Sequence, residues 1–207
     1  MIRAQHTLFH TSFFRLYTQW MIRHHFSSVT IKSDLTIRDL PVLLIGNHFS
    51  WWDGFIANYL NCKIFKRDFY IMMLEEQLKQ RMFLSRAGAF SIAKGKRSMV
   101  ETISYAADIL QNKNNLLVLY PQGKFQSIHD QPIVFEKGYF IILKKALESG
   151  FQLVFYVALT DYFSFRKPLL MIYLKEQPFS SAISAADLEA LYHEFYMEAV
   201  GQQKGLI

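Results

Sequence analysis

Short, unbroken apolar runs alternate along this chain with longer stretches whose apolar residues recur at helical spacing. Residues 42–45, Val-Leu-Leu-Ile between Pro41 and Gly46, are aliphatic throughout and few, as in an interior strand covered on both faces. Residues 68–74, the stretch opening at Gly88, and residues 116–120, 153–159 and 169–174 carry the same signature and predict further strands. Helices are expected between them over residues 51–60, 75–86 and 98–111, where Val100, Ile103, Ala107 and Leu110 share a face. Two more are expected over residues 135–149, closed by Gly150, and 185–200. This alternation, without repeat, linker or low-complexity tract, predicts a single α/β domain with a largely parallel sheet flanked by helices.

Ahead of the first strand, residues 7–26 mix aromatic and basic groups, with Phe9, Phe13, Leu16 and Trp20 recurring near helical spacing beside Arg15 and Arg23. Such a helix suits a membrane interface, its rings at headgroup level, and equally suits packing on the core of the same domain. The expected division is an N-terminal amphipathic helical segment, 1–38, and an α/β domain, 39–207. The apolar window 42–60 has the length of a membrane span, but Gly46, Asn47, His48, Ser50 and Asp53 would then lie at the bilayer centre, at high cost. Residues 151–165 are too few and are interrupted by Asp161. Membrane attachment is therefore expected to be peripheral.

Composition narrows the setting. With 207 residues, 51% apolar and 16% aromatic, the chain is long and apolar enough to bury one sizeable core. A net charge of +6 points toward anionic partners, from phosphorylated metabolites to an anionic lipid surface. Nucleic acid is not expected, because the cations form no sustained face. Cys62 is the sole cysteine, which excludes an internal disulfide and a cysteine metal cluster and implies a reducing compartment. His6, His10 and Arg15 interrupt any secretory h-region, so the cytoplasmic face of the membrane is the expected location. His6 and His10 have ligand spacing without a third ligand on their face, and no metal is expected.

The chemistry gathers where residues 42–45 end, in Asn47-His48-Phe49-Ser50-Trp51-Trp52-Asp53. Open α/β sheets place ligand sites at the carboxyl ends of their strands. On one continuous helix, residues five apart sit about 140° apart and could not meet. A loop holding His48 and a helix holding Asp53 in its first turn, with Ser50 as N-cap, would let the imidazole fold back on the carboxylate. A carboxylate on one ring nitrogen fixes the tautomer and frees the other to take a proton, which makes His48 a general base. The other reading of the same residues is a capping box between Ser50 and Asp53. Two further features follow strands: Lys94, Lys96 and Arg97 around Gly95, a phosphate site or a solvated charge run, and the tight turn Pro121-Gln122-Gly123-Lys124.

These blocks together resemble the glycerolipid acyltransferase family, which includes the lysophosphatidate acyltransferases. His48 and Asp53 match its N-H-x4-D signature. Residues 88–94 are similar to a second block ending in an Arg that binds the acceptor phosphate. Tyr120-Pro121-Gln122-Gly123-Lys124 resembles a Phe-Pro-Glu-Gly-Thr block, and Phe135 with Gly138 an aromatic-glycine pair. The likeness runs over residues 40–160, with the blocks in family order. Lys94 departs from the usual Arg, Gln122 from Glu, Lys124 from Thr, and Tyr156 from a late-strand Pro.

The resemblance implies an acyltransferase in which His48 deprotonates an acceptor hydroxyl and Asp53 orients the imidazole. The acyl thioester donor is acyl-CoA or acyl-carrier protein, and no metal or other cofactor is required. Lys94, Arg97, Gln122, Gly123 and Lys124 are the implied substrate-binding residues. The departures around residues 122–124 open the acceptor to lysophospholipids or related lipids other than lysophosphatidate. Two alternatives keep the fold: a basic lipid-surface protein without catalysis, and an acyl-thioester hydrolase. The hydrolase lacks a G-x-S-x-G elbow.

Overall fold

The structure is a computed structural model and describes residues 1–93 and 96–205, with the backbone alone for Lys96 and Arg97. Among the described residues seven strands form one sheet: β1 (Ser28–Ser33), β2 (Val42–Gly46), β3 (Asp68–Leu74), β4 (Ala89–Ile92), β5 (Asn115–Leu119), β6 (Gln152–Asp161) and β7 (Leu169–Glu176). Their spatial order is β1-β7-β6-β2-β5-β3-β4, which puts β2 in the middle. Every pairing is parallel except that of β6 with β7. The expected single α/β domain with a largely parallel sheet is what the chain forms.

Period-two alternation sorts β2 onto two cores. Leu43 and Ile45 face one side, with Leu117, Leu119, Phe155 and Val157 from the neighbouring strands. Val42 and Leu44 face the other, with Leu116, Val118, Val154 and Tyr156. All four β2 side chains are fully buried, so a one-residue slip would leave both layers mismatched. Helices α4 (Lys96–Ile109), α5 (Gly138–Ala146) and α6 (Ala185–Lys204) cover the first side, and α1 (Leu8–His25) and α2 (Asp53–Leu60) the second. The segments leaving β2 and β5 therefore run to opposite faces and open a crevice at the sheet's carboxyl edge.

α1 uses both of its faces. Met21 and Ile22 are buried with Phe26, just past the helix end, and Thr18 accepts a 2.8 Å hydrogen bond from the buried Asn58 of α2. On the opposite face Phe9, Phe13, Leu16 and Trp20 are exposed, Phe9 by 75% and Trp20 by 55%. Among the described residues no helix is long and apolar enough to cross a membrane.

Several elements differ from the sequence reading, among them the helix expected over residues 135–149, which begins only at Gly138 and ends in a 3-10 turn, Leu147–Ser149. β1, which has no counterpart among the expected strands, is an edge strand parallel to β7, with only Val29 and Ile31 half-buried on their neighbours. The helix expected over residues 75–86 divides into α3 (Glu75–Lys79) and a 3-10 turn, Met82–Ala87. Leu78 is the sole fully buried residue of α3, too little apolar surface to hold a longer helix, and Arg81 leaves helical geometry. α2 begins at Asp53, two residues later than expected, and Trp52 rather than Ser50 occupies the cap position.

Candidate active site

The crevice is built from the loop after β2. Asn47, buried, ties that loop to β6 by two 2.9 Å bonds from its side chain: Nδ2 donates to the Ala158 carbonyl, and Oδ1 accepts from the Ala158 N–H. The next residue, His48, is held at both backbone groups by the turn after β5. Its N–H donates to Gln122 Oε1 at 2.6 Å, and its carbonyl accepts from the Gln126 N–H at 2.9 Å. With the main chain pinned on two sides, the imidazole has little freedom beyond its own rotamers.

His48 Nδ1 lies 2.7 Å from Asp53 Oδ2, which makes Nδ1 the protonated nitrogen of the neutral ring. The ring is about one-quarter exposed, and Nε2 has no protein partner among the described residues. Asp53 is 1% exposed, yet its carboxylate is well supplied with donors. Besides the imidazole, Oδ2 accepts from the N–H groups of Phe49 at 2.8 Å and Ser50 at 3.1 Å, and Oδ1 accepts from Ser50 Oγ at 3.2 Å. The contacts from Ser50 and from His48 thus coexist on one carboxylate, while α2, with Trp52 at its cap position, has no side-chain cap bond and Ser50 does not complete the capping box.

Two aromatic rings enclose the imidazole. Tyr120 stacks on it at 4.6 Å between centroids and 17° between planes, and Phe125 lies tilted across it at 4.3 Å. The Tyr120 hydroxyl donates to the Asp53 carbonyl at 2.7 Å. Burial drives that hydroxyl well above the ordinary tyrosine range, the nearby Asp53 charge adds to the effect, and the group stays a protonated donor.

The other expected site residues are distributed around this pair. Gln122 is buried, and its Nε2 donates to Gln126 Oε1 at 2.8 Å, so both ends of its amide are engaged in joining two loops. Gly123 turns the chain with φ of +66°, a conformation that favours glycine. Lys124 is exposed and lines, with Gln122, Phe125, Gln126, Asp130 and Val134, a groove of about 310 Å³ whose walls do not include His48 or Asp53; Phe125 is the lining residue that also touches the imidazole. Lys94 lies outside the described residues, and Arg97 is described only as backbone in the first turn of α4. No group of three His, Cys, Asp or Glu side chains able to hold a metal occurs among the described residues. Reading the sequence missed the contacts of Tyr120 and Phe125 with His48. Their one advance signal is the position of an aromatic at the carboxyl end of a strand, and that β5 adjoins β2 is a tertiary fact.

A model of the Acyltransferase family matches residues 28–159, a span that begins at β1 and includes the His48–Asp53 pair. The chain belongs to the Acyltransferase family. Among solved structures it is similar to the 1-acyl-sn-glycerophosphate acyltransferase PlsC from Thermotoga maritima, with a TM-score of 0.65 and 15% identity. That match covers 94% of this chain and 79% of the other, and at this identity it establishes a shared fold. No curated protein gives a significant sequence match. As an acyltransferase the molecule needs an acyl donor, an acceptor and a site between them, and the crevice at the end of β2 brings the buried Asn47, Asp53 and Gln122 around His48.

Proposed function

We propose that this acyltransferase moves a fatty acyl group from an acyl thioester to the hydroxyl of a lysophospholipid or a related lipid. The observation that carries the reading is the 2.7 Å contact between His48 Nδ1 and Asp53 Oδ2, made where a central strand meets a helix, with Nε2 open on the other side of the ring. In the proposed reaction the acceptor hydroxyl gives its proton to Nε2 as its oxygen bonds the thioester carbonyl carbon. Collapse of the tetrahedral intermediate breaks the C–S bond, and the departing thiolate takes the proton back from the imidazolium. Asp53 supports the transient positive charge, and the aromatic faces of Tyr120 and Phe125 add cation–π attraction. This cycle needs no acyl-enzyme, no metal and no further cofactor.

A lipid acceptor is favoured by the likeness to a protein named for acting on 1-acyl-sn-glycerophosphate and by the exposed aromatic face of α1. Together with the net charge of +6, that face supports peripheral attachment to the cytoplasmic surface of a membrane. Lys124, exposed on the groove, is proposed to meet an acceptor or donor phosphate. Lys94 and Arg97, which follow β4 in the chain, are proposed for the same purpose.

The test is to incubate the purified protein with labelled acyl-CoA or acyl-carrier protein and a panel of lipid alcohols, and to identify products by mass. Ester formation is expected in the wild type and a loss of about 10²–10⁴-fold in His48→Ala. Full turnover by folded His48→Ala protein would refute the general-base reading.

A further inference from the structure

Two departures from the resembled pattern meet in space. Tyr120 stands where the block Phe-Pro-Glu-Gly-Thr begins with Phe, and Tyr156 where the late strand carries Pro. Each brings a hydroxyl to the carboxyl edge of the sheet, and the two bond: Tyr156 Oη donates to Tyr120 Oη at 2.9 Å, and Tyr120 Oη donates to the Asp53 carbonyl at 2.7 Å. Both hydroxyls are pushed well above the ordinary tyrosine value, first by burial, so both remain protonated. Because the Asp53 carbonyl oxygen can only accept, the Tyr120 proton points to Asp53 and the Tyr156 proton occupies a lone pair of Tyr120.

Tyr156 is firmly seated. It is fully buried, its carbonyl accepts from the Tyr192 hydroxyl at 2.9 Å, and its ring lies against Gly46 so closely that a Cβ there would fall 2.0 Å from Cε1. Gly46 precedes Asn47 and His48, so the same ring also fixes how the chain enters the His48 loop. Tyr120 in turn touches both members of the pair, the imidazole through its ring and Asp53 through its hydroxyl. A line of contacts therefore runs from β6 through the end of β5 to the first turn of α2.

We propose that Tyr120 and Tyr156 are positioning residues that act as a hydroxyl-linked brace, holding His48 and Asp53 in register for proton transfer. This rests on the reading of His48 as general base. Misplacing a catalytic group by about 1 Å costs on the order of 10²-fold in rate. Loss of one hydroxyl, with the ring kept, should cost less.

The test is steady-state kinetics of Tyr120→Phe, Tyr156→Phe and the double variant, per active site counted by binding of a thioether analogue of acyl-CoA. Tyr120→Phe is expected to lower kcat by roughly 10-fold with KM for donor and acceptor unchanged, and Tyr156→Phe by roughly 3-fold. The double variant should be no slower than Tyr120→Phe, because both act through one linkage. Tyr139→Phe removes a buried hydroxyl that bonds the distant Ala185 carbonyl and should leave kcat unchanged. Wild-type kcat in Tyr120→Phe beside an inactive His48→Ala would overturn the brace alone, as would multiplying losses in the double variant or an equal loss in Tyr139→Phe. Activity surviving in His48→Ala would remove the base, and the brace with it.

Discussion

The Asp53 carboxylate accepts from the His48 imidazole, two backbone N–H groups and the Ser50 hydroxyl, so one residue both folds the loop and orients the imidazole. Asp53→Asn removes the charge and places an amide N–H₂ against at least one of these donors. It is expected to lower kcat by at least about 10²-fold and also to lower the melting temperature. A lowered melting temperature with wild-type kcat would mean that Asp53 serves the turn alone. Lys124 calls for a different signature, because it is exposed on the groove. Lys124→Ala should raise KM for lysophosphatidate by roughly 3–10-fold at low salt and leave a phosphate-free lipid alcohol unaffected. Equal effects on both acceptors would place the lysine away from the phosphate. At this scale the motif was legible because N-H-x4-D is contiguous. The roles of Tyr120 and Gln122 were not, since each reaches the His48–Asp53 pair across the sheet from about 70 residues away.

Among the elements, α1 gives opposite expectations for its two faces. Ile22→Ala deletes fully buried volume and should cost about 2–5 kcal/mol of stability. Phe13→Ser with Trp20→Ser alters exposed rings and should leave the melting temperature near wild type, while weakening sedimentation with anionic vesicles by at least about 10-fold. Unchanged vesicle binding in that double variant would rule out this face as the membrane contact. The helix itself was legible from periodicity, but its orientation was not, because both faces are rich in apolar residues. β1 escaped notice because an edge strand with two half-buried side chains has a faint pattern, and the break in residues 75–86 arises where too few apolar side chains reach the core.

For the whole molecule, the alternation of buried runs and amphipathic stretches made the α/β class legible, since each strand carries its own burial signature. Strand order was not, because parallel neighbours need not be adjacent in the chain: β2 pairs with β5 and β6, and the antiparallel β6–β7 pair carries the sheet on to β1. That order places the His48 loop, the turn after β5 and the end of β6 at one edge. On the proposed function, this edge is where a thioester and an alcohol would meet above His48. The most direct test of this is the ratio of acylated lipid to free thiol formed from labelled acyl-CoA and lysophosphatidate vesicles, in wild type and in His48→Ala. A one-to-one ratio, with both products lost together in the variant, is expected. Thiol released without ester, or ester formed at the wild-type rate by His48→Ala, would contradict acyl transfer by this base.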